Sequence, residues 1–254
     1  MLTVGLLWHS FTSGNLGVGA LTDANMGLIA DAARQAGYDD IRFILFGPKG
    51  DPAFQAPQNW TGCEFIEVSS LRRALDLRQR LAACDLVFDI GSGDSFADLY
   101  GFKRFLKIAG LKLLVPRARE RLILSPQTIG PFVHGWARGG AALALRRARR
   151  IYTRDTVSED RAHALAGPNA DIAVATDVAF ALPLLPEWPA DFPVLEKRTR
   201  HIGLNVSGLL YAGGYTGENQ FGLKLDYRAL IDDVLGELSA RNDCTVWLIP
   251  HVYR

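Results

Sequence analysis

A parallel-sheet α/β fold is predicted by this sequence, on three observations. Short apolar runs alternate with segments of helical period along most of the chain. Glycine-rich turns follow several of the apolar runs, as a strand-to-helix connection requires. A proline-dense stretch then separates this series from a new strand–helix–strand unit. The expected organisation is a domain over residues 1–186, a connection over 187–200 and the start of a second domain over 201–254.

The elements follow in order. Val4 to Trp8 is a strand, closed by the turn Ser13-Gly14-Asn15-Leu16-Gly17-Val18-Gly19. Leu21, Leu28, Ile29, Ala32, Ala33 and Ala36 recur at helical spacing, and Gly37 supplies the stop. Ile41 to Phe46 is the next strand, Leu71 to Ala82 a helix and Asp85 to Ile90 a strand. Phe102 to Val115 is helical, and Leu122 to Leu124 is a buried strand ending at Ser125-Pro126. Trp136 to Arg147 is a helix, Arg150 to Thr153 a strand, Val157 to Leu165 a helix and Ile172 to Ala175 a short strand. Pro183, Pro186, Pro189 and Pro193 exclude both helix and central strand between them. Beyond them, Ile202 to Val206 is a strand, Asp226 caps a helix through Leu238, and Thr245 to Ile249 is a strand. One such unit of about fifty residues buries too little surface to stand alone. The chain is therefore expected to end inside its second domain, or to be covered by another chain.

Composition narrows the function classes. The 254 residues carry 28 basic and 27 acidic side chains, a formal charge of +1. So even a balance sets up no long-range field for a polyanion, and a dedicated nucleic-acid binder is not expected. Cys63, Cys84 and Cys244 are far apart and odd in number, which disfavours a local zinc site or a disulfide framework. That usage suits a reducing compartment, and a cytoplasmic location follows as the expectation. The start of the chain lacks a basic, cleavable leader, and no apolar run approaches the ~20 residues of a membrane span.

Ligands of open parallel sheets bind beyond the carboxyl ends of the strands. Three loops there carry candidate chemistry. Asn15 and Gly17 lie in the first, where free amides at a helix start attract anions; a tight turn is the plainer reading. The second gathers Gly91, Ser92, Gly93, Asp94 and Ser95, whose amides and hydroxyls suit phosphate and whose Asp94 suits sugar hydroxyls; helix capping by Asp94 or Ser95 is the alternative. In the third, two prolines and a glycine frame Gln127 and Thr128, and Gln127 either meets a ligand or ties the loop to itself. Arg154, at a strand end, can grip a carboxylate or phosphate in two-pronged fashion, or merely pair with Asp155. Asp177 either orients Arg154 or caps a turn. His251 follows the last strand and is the histidine best placed for proton transfer; His9 is the weaker candidate. The clusters Arg117, Arg119, Arg121 and Arg146, Arg147, Arg149, Arg150 read as solvated helix ends, with attraction to an anionic membrane surface as the alternative.

The ordered set of motifs resembles the polysaccharide pyruvyl transferase family. It comprises Asn15-Leu16-Gly17, Gly91-Ser92-Gly93-Asp94-Ser95-Phe96, Pro126-Gln127-Thr128-Ile129-Gly130-Pro131-Phe132, Arg154-Asp155-Thr156-Val157-Ser158, Thr176-Asp177-Val178-Ala179-Phe180 and Pro250-His251. Many members carry Gly-Asp where this chain has Gly17-Val18, and a further glycine in place of Ser92. The resemblance implies two Rossmann-like domains in a GT-B-like arrangement, of which the C-terminal part is missing here. It implies transfer of the enolpyruvyl unit of phosphoenolpyruvate onto a sugar or oligosaccharide acceptor, closed as a ketal. Arg154 and His251 then carry the family's important arginine and histidine. Asp94 and Gln127 are assigned to the sugar, and the scheme calls for no metal and no cofactor beyond the phosphoenolpyruvate donor. A lipid-linked acceptor and a peripheral position at the inner face of the membrane are the corresponding expectations for partners. The chain by itself is expected to be inactive, since half a cleft cannot exclude water or position an acceptor. The rival readings are a GT-B glycosyltransferase using a nucleotide-sugar and a non-catalytic module of a polysaccharide assembly complex.

Overall fold

The computed structural model describes residues 1–50, 57, 60, 62–68, 73–117, 121–183, 200–214, 217–219 and 221–250. Cα packing divides the chain into two compact units, Met1–Ser13 with Gly17–Leu182, and Gly14–Leu16 with Pro183–Arg254. The predicted connection falls, for residues 187–199, outside the described residues, as does His251.

The first unit is built on β1 (Leu2–Leu7), α1 (Leu16–Gln35), β2 (Ile41–Gly47), β3 (Glu64–Glu67), α2 (Ala74–Ala82) and β4 (Leu86–Asp89). It continues through α3 (Phe102–Leu114), β5 (Leu122–Gln127), α4 (Gly135–Leu145), β6 (Arg150–Thr153), α5 (Thr156–Ala166), β7 (Ile172–Val174) and a short 3-10 helix, Val178–Ala181. Seven strands form one sheet in the order β3-β2-β1-β4-β5-β6-β7, and each pairing is parallel. The predicted α/β class is correct. β1 is apolar almost throughout because both faces of the sheet are covered. Its Leu2, Val4 and Leu6 pack with Met26, Ile29, Ala30 and Ala33 of α1 on one face. On the other face the sheet packs against α2 to α5 through Leu81, Phe105, Ile108, Leu111, Ala141, Leu145 and Ala162. Gly37 follows α1 at φ 88°, a left-handed conformation that costs glycine nothing.

Two strands depart from expectation. β3 has only four residues, at the sheet edge, and no alternation long enough to flag it. β5 does not stop at Leu124; it runs on to Gln127, with an irregular register between Leu124 and Gln127. Pro126 has no N–H for the ladder, so the strand is interrupted there rather than ended.

The second unit contains β8 (Arg200–Val206), the short helix α6 (Gly208–Tyr211), α7 (Tyr227–Ser239) and β9 (Cys244–Pro250). β8 and β9 pair in parallel, from Arg200 opposite Cys244 to Val206 opposite Pro250. Asp226 caps α7 as predicted, accepting from the amides of Arg228 and Ala229 at 3.0 and 3.1 Å. A cavity of about 420 Å³ lies beside α6 and the start of α7, lined in part by Tyr211, Lys224 and Arg228. It takes in none of the predicted site residues.

Candidate functional site

The parallel strands bring their carboxyl ends to one edge, and the strand order reverses between β1 and β4. That crevice is where an open α/β sheet binds ligands. The loop after β4 makes the sharpest turn there. Gly91, Ser92 and Gly93 take φ of 54°, 51° and 88°, three left-handed residues in succession. Glycine adopts this freely, whereas at Ser92 it costs roughly 1 kcal/mol. Ser92 Oγ donates to the Trp8 carbonyl at 3.4 Å, tying the loop after β4 to the end of β1.

The turn spends two of the amides expected to serve an anion. Gly93 N donates to Ile90 O at 2.8 Å and Ser95 N to Gly91 O at 2.9 Å. The Ser95 side chain is buried, and its Oγ accepts from Arg104 Nη2 at 2.7 Å. Neither Asp94 nor Ser95 caps α3; the residue at that position is Gly101. The exposed Asp94 instead accepts from Tyr100 Oη at 2.8 Å.

Gln127 is the clearest correction. Its side chain is buried, and Nε2 donates to the Asp89 carbonyl at 2.8 Å and to Asp89 Oδ1 at 3.1 Å. Its Oε1 sits against Gly91, where a Cβ would come within 2.2 Å. Gln127 therefore ties the loops together and does not reach out to a sugar. The physical reason is the Pro126 irregularity, which turns this residue inward at the strand end. Asp89 also pairs with Lys112 of α3, Nζ to Oδ1 at 2.8 Å, with both side chains fully buried. The Lys112 ammonium lies 4.3 Å from the centre of the Phe96 ring. This buried floor was missed in sequence, although Phe105, Ile108, Ala109 and Lys112 share one helical face.

Arg154 is held at two points. Its Nε donates to Thr128 Oγ1 at 2.7 Å and its Nη1 to Asp177 Oδ2 at 3.0 Å. Asp177 does both things foreseen for it, since Oδ1 accepts from Ala179 N and caps the 3-10 helix. Asp155 does not pair with Arg154; it caps α5, accepting from Ser158 N at 2.7 Å. Thr128 N donates to Gly93 O at 2.9 Å, and a Cβ on Gly93 would lie 3.8 Å from Arg154 Nη1. The loops holding Gly91–Ser95, Gln127–Thr128, Arg154 and Asp177 thus meet at one place. Asn15 and Gly17 stand at the start of α1, whose Leu21 side chain reaches the same glycine.

His9 is fully buried, and its burial lowers its pKa to about 4 against the pull of a bond to the Leu7 carbonyl. It is neutral near pH 7 and structural. Nδ1 donates to Leu7 O, so Nε2 accepts from Asn25 Nδ2, which also donates to Ser125 Oγ. Arg121 likewise is no solvated helix end; it is buried and donates to the carbonyls of Ala82 and Cys84. Among the described residues, no group of three His, Cys, Asp or Glu side chains could hold a metal ion. No helix among them is long and apolar enough to cross a membrane.

What the arrangement offers chemically is a guanidinium fixed along one side. Two of its five N–H groups are committed to protein oxygens, which leaves an edge able to grip a carboxylate or phosphate.

No curated protein matches the sequence. Among solved structures the chain is similar to an alpha-glucosyltransferase in complex with UDP, over 100% of this chain and 69% of that one, at 8% identity and a TM-score of 0.48. It is similar to an alpha-glucosyltransferase in complex with UDP-glucose and DNA containing an abasic site, over 99% and 67%, at 8% identity and a TM-score of 0.47. A third likeness, to S. aureus homoserine dehydrogenase, covers 69% of this chain and 31% of that one at 12% identity and a TM-score of 0.27. The family model for polysaccharide pyruvyl transferase matches residues 26–250, most of the sequence and each of the loops described above except the first. The chain belongs to the polysaccharide pyruvyl transferase family.

Proposed function

We propose that the protein is a transferase that moves the enolpyruvyl group of phosphoenolpyruvate onto a sugar of a polysaccharide or its precursor. The observation that carries this reading is Arg154, braced by Thr128 and Asp177 beside the Gly91–Gly93 turn. Phosphoenolpyruvate presents a carboxylate and a phosphate on one carbon, and a braced guanidinium suits either group.

One sugar hydroxyl adds to the carbon bearing the phosphate, a proton goes to the methylene carbon, and the hydroxyl proton leaves to a base. A second hydroxyl then displaces phosphate from the same carbon, closing the ketal and releasing inorganic phosphate with the second proton. Arg154 holds the donor and neutralises charge as phosphate leaves. His251 is the proposed acid and base, having the side chain whose ordinary pKa lies nearest neutrality. Asp94, exposed on the same loop, is the proposed partner of the sugar hydroxyls.

Calorimetry of phosphoenolpyruvate against a panel of nucleotide-sugars tests the reading. Phosphoenolpyruvate is expected to bind, and Arg154→Lys to weaken it roughly ten- to a hundredfold, the loss of charge-assisted, two-pronged hydrogen bonds. Binding of a nucleotide-sugar in its place, or unchanged binding by Arg154→Lys, overturns it.

A further inference from the structure

The near-zero net charge conceals a strong asymmetry. Of the 28 basic and 27 acidic side chains, residues 99–150 hold 12 basic and a single acidic one, Glu120. This stretch supplies α3 and α4, which pack against each other. Lys112 and Arg121 are buried, and Arg146, Arg147, Arg149 and Arg150 follow the end of α4, so the cations on the outer side of the two helices are Lys103, Arg104, Lys107 and Arg138. Their outer surface also displays large apolar side chains. Phe102 and Trp136 are 57% and 42% exposed yet meet edge to face at 5.0 Å, so they form one patch rather than two. Leu99, Leu106 and Val133, all exposed, belong to the same helices or the turns leading into them. Lys103 and Lys107 stand one residue along from Phe102 and Leu106, and Arg138 two beyond Trp136.

We propose that this face docks on an anionic lipid bilayer. Aromatic rings with aliphatic neighbours settle at headgroup level, and the surrounding cations meet the lipid charge. A second copy of this chain fits less well, because a twofold contact would set the cations against themselves. Nucleic acid fits less well too, because the aliphatic centre of the patch has nothing to offer a phosphodiester.

Docking here has a geometric consequence. α3 and α4 both begin at the carboxyl edge of the sheet, the edge that carries Arg154. Arg104 of α3 bonds Ser95, and Tyr100 just before it bonds Asp94. The patch therefore adjoins the candidate site and would hold that edge close to the membrane, where a lipid-borne acceptor lies. The docking itself does not depend on the identity of the donor.

The test is co-sedimentation of the chain with phosphatidylcholine vesicles, with and without phosphatidylglycerol, at low and at high salt. Binding is expected only with phosphatidylglycerol, weakening as salt is added. Each cation contributes about fivefold to partitioning, so Lys103→Glu/Lys107→Glu/Arg138→Glu loses at least about a hundredfold. Phe102→Ser/Leu106→Ser, on the apolar half of the patch, weakens binding while the cations remain. Both variants must keep the wild-type circular dichroism and unfolding midpoint. Equal binding to both vesicle types, no binding, or undiminished binding by both variants overturns the proposal. So does a dimer that the charge-reversal variant dissociates, or a DNA oligonucleotide held as tightly as the anionic vesicles.

Discussion

His9 makes the stability of the first unit depend on pH in a window of its own. In the native state it binds a proton only below about pH 4, because burial disfavours the imidazolium. In the unfolded chain it does so below its ordinary value of 6.5. Between those values the unfolded state holds the extra proton, so stability must fall as pH falls. From pH 7.5 to 5 the loss is about 2 kcal/mol, approaching about 3 kcal/mol at pH 4, against a typical total of ~5–15 kcal/mol. Geometry gives the same answer independently. A proton on Nε2 would face the amide hydrogens of Asn25 Nδ2 at 2.8 Å, two donors with no acceptor between them. Urea unfolding at several pH values, with and without His9→Gln, reads the slope, and an NMR titration reads the imidazole directly. The wild type should lose stability over this range and His9→Gln should lose about 2 kcal/mol less. A His9 that titrates near its ordinary value, or a slope unchanged by the substitution, refutes the reasoning.

Two further predictions concern the floor and the turn. Lys112→Met leaves the Asp89 carboxylate buried without its cation and should cost about 3–5 kcal/mol in urea unfolding. Lys112→Met/Asp89→Asn should recover much of that, which a purely steric role for Lys112 would not allow. At the turn, Gly91→Ala meets both a left-handed φ and Gln127 Oε1, which is locked by its own amide, and should cost about 3 kcal/mol. Ser92→Gly should be tolerated within about 0.5 kcal/mol, since relieved φ strain offsets lost chain stiffness, while Ser92→Val should cost about 2 kcal/mol.

The layered architecture was legible because apolar runs and helical periods alternate with little ambiguity, and most predicted elements lie within a few residues of the observed ones. β3 was not, because Glu64-Phe65-Ile66-Glu67 is too short to display a period and has one half-solvated edge. The site was legible as residue types at strand ends. Arg154 and Asp177 pair because each stands just after a strand of the same sheet edge. The fate of Gln127 was not legible, because its direction depends on how β5 absorbs Pro126, a matter of register that no local pattern encodes. The buried polar side chains Thr22, Asn25 and Lys112 did leave a signal. Each falls on the apolar stripe of its helix, where a polar residue needs a partner from elsewhere in the fold. Thr22 Oγ1 accepts from Ser10 N, Asn25 reaches His9 and Ser125, and Lys112 finds Asp89.

Charge balance at the site points to a second cation. Asp177 lies 3.0 Å from Arg154 and cancels much of its field, while the Asp89–Lys112 pair beneath is neutral as a unit. The proposed donor, phosphoenolpyruvate, carries more than one negative charge, so a braced but half-neutralised Arg154 would not balance it alone. Two amides of the turn are already spent. Among the described residues, Arg104 is a further cation that touches the loop, through its 2.7 Å bond to Ser95 Oγ, with its guanidinium 4.9 Å from the Tyr100 ring centre. It is exposed, so its contribution is screened and modest. Arg104→Gln should weaken phosphoenolpyruvate binding about fivefold at low salt, with the difference shrinking as salt rises. Asp177→Asn tests the opposite side of the balance, because it frees the field of Arg154 but loosens its aim. If orientation dominates, Asp177→Asn binds the donor more weakly despite one negative charge fewer. If it binds more tightly, Asp177 does not set the direction of Arg154, and field strength alone governs recognition.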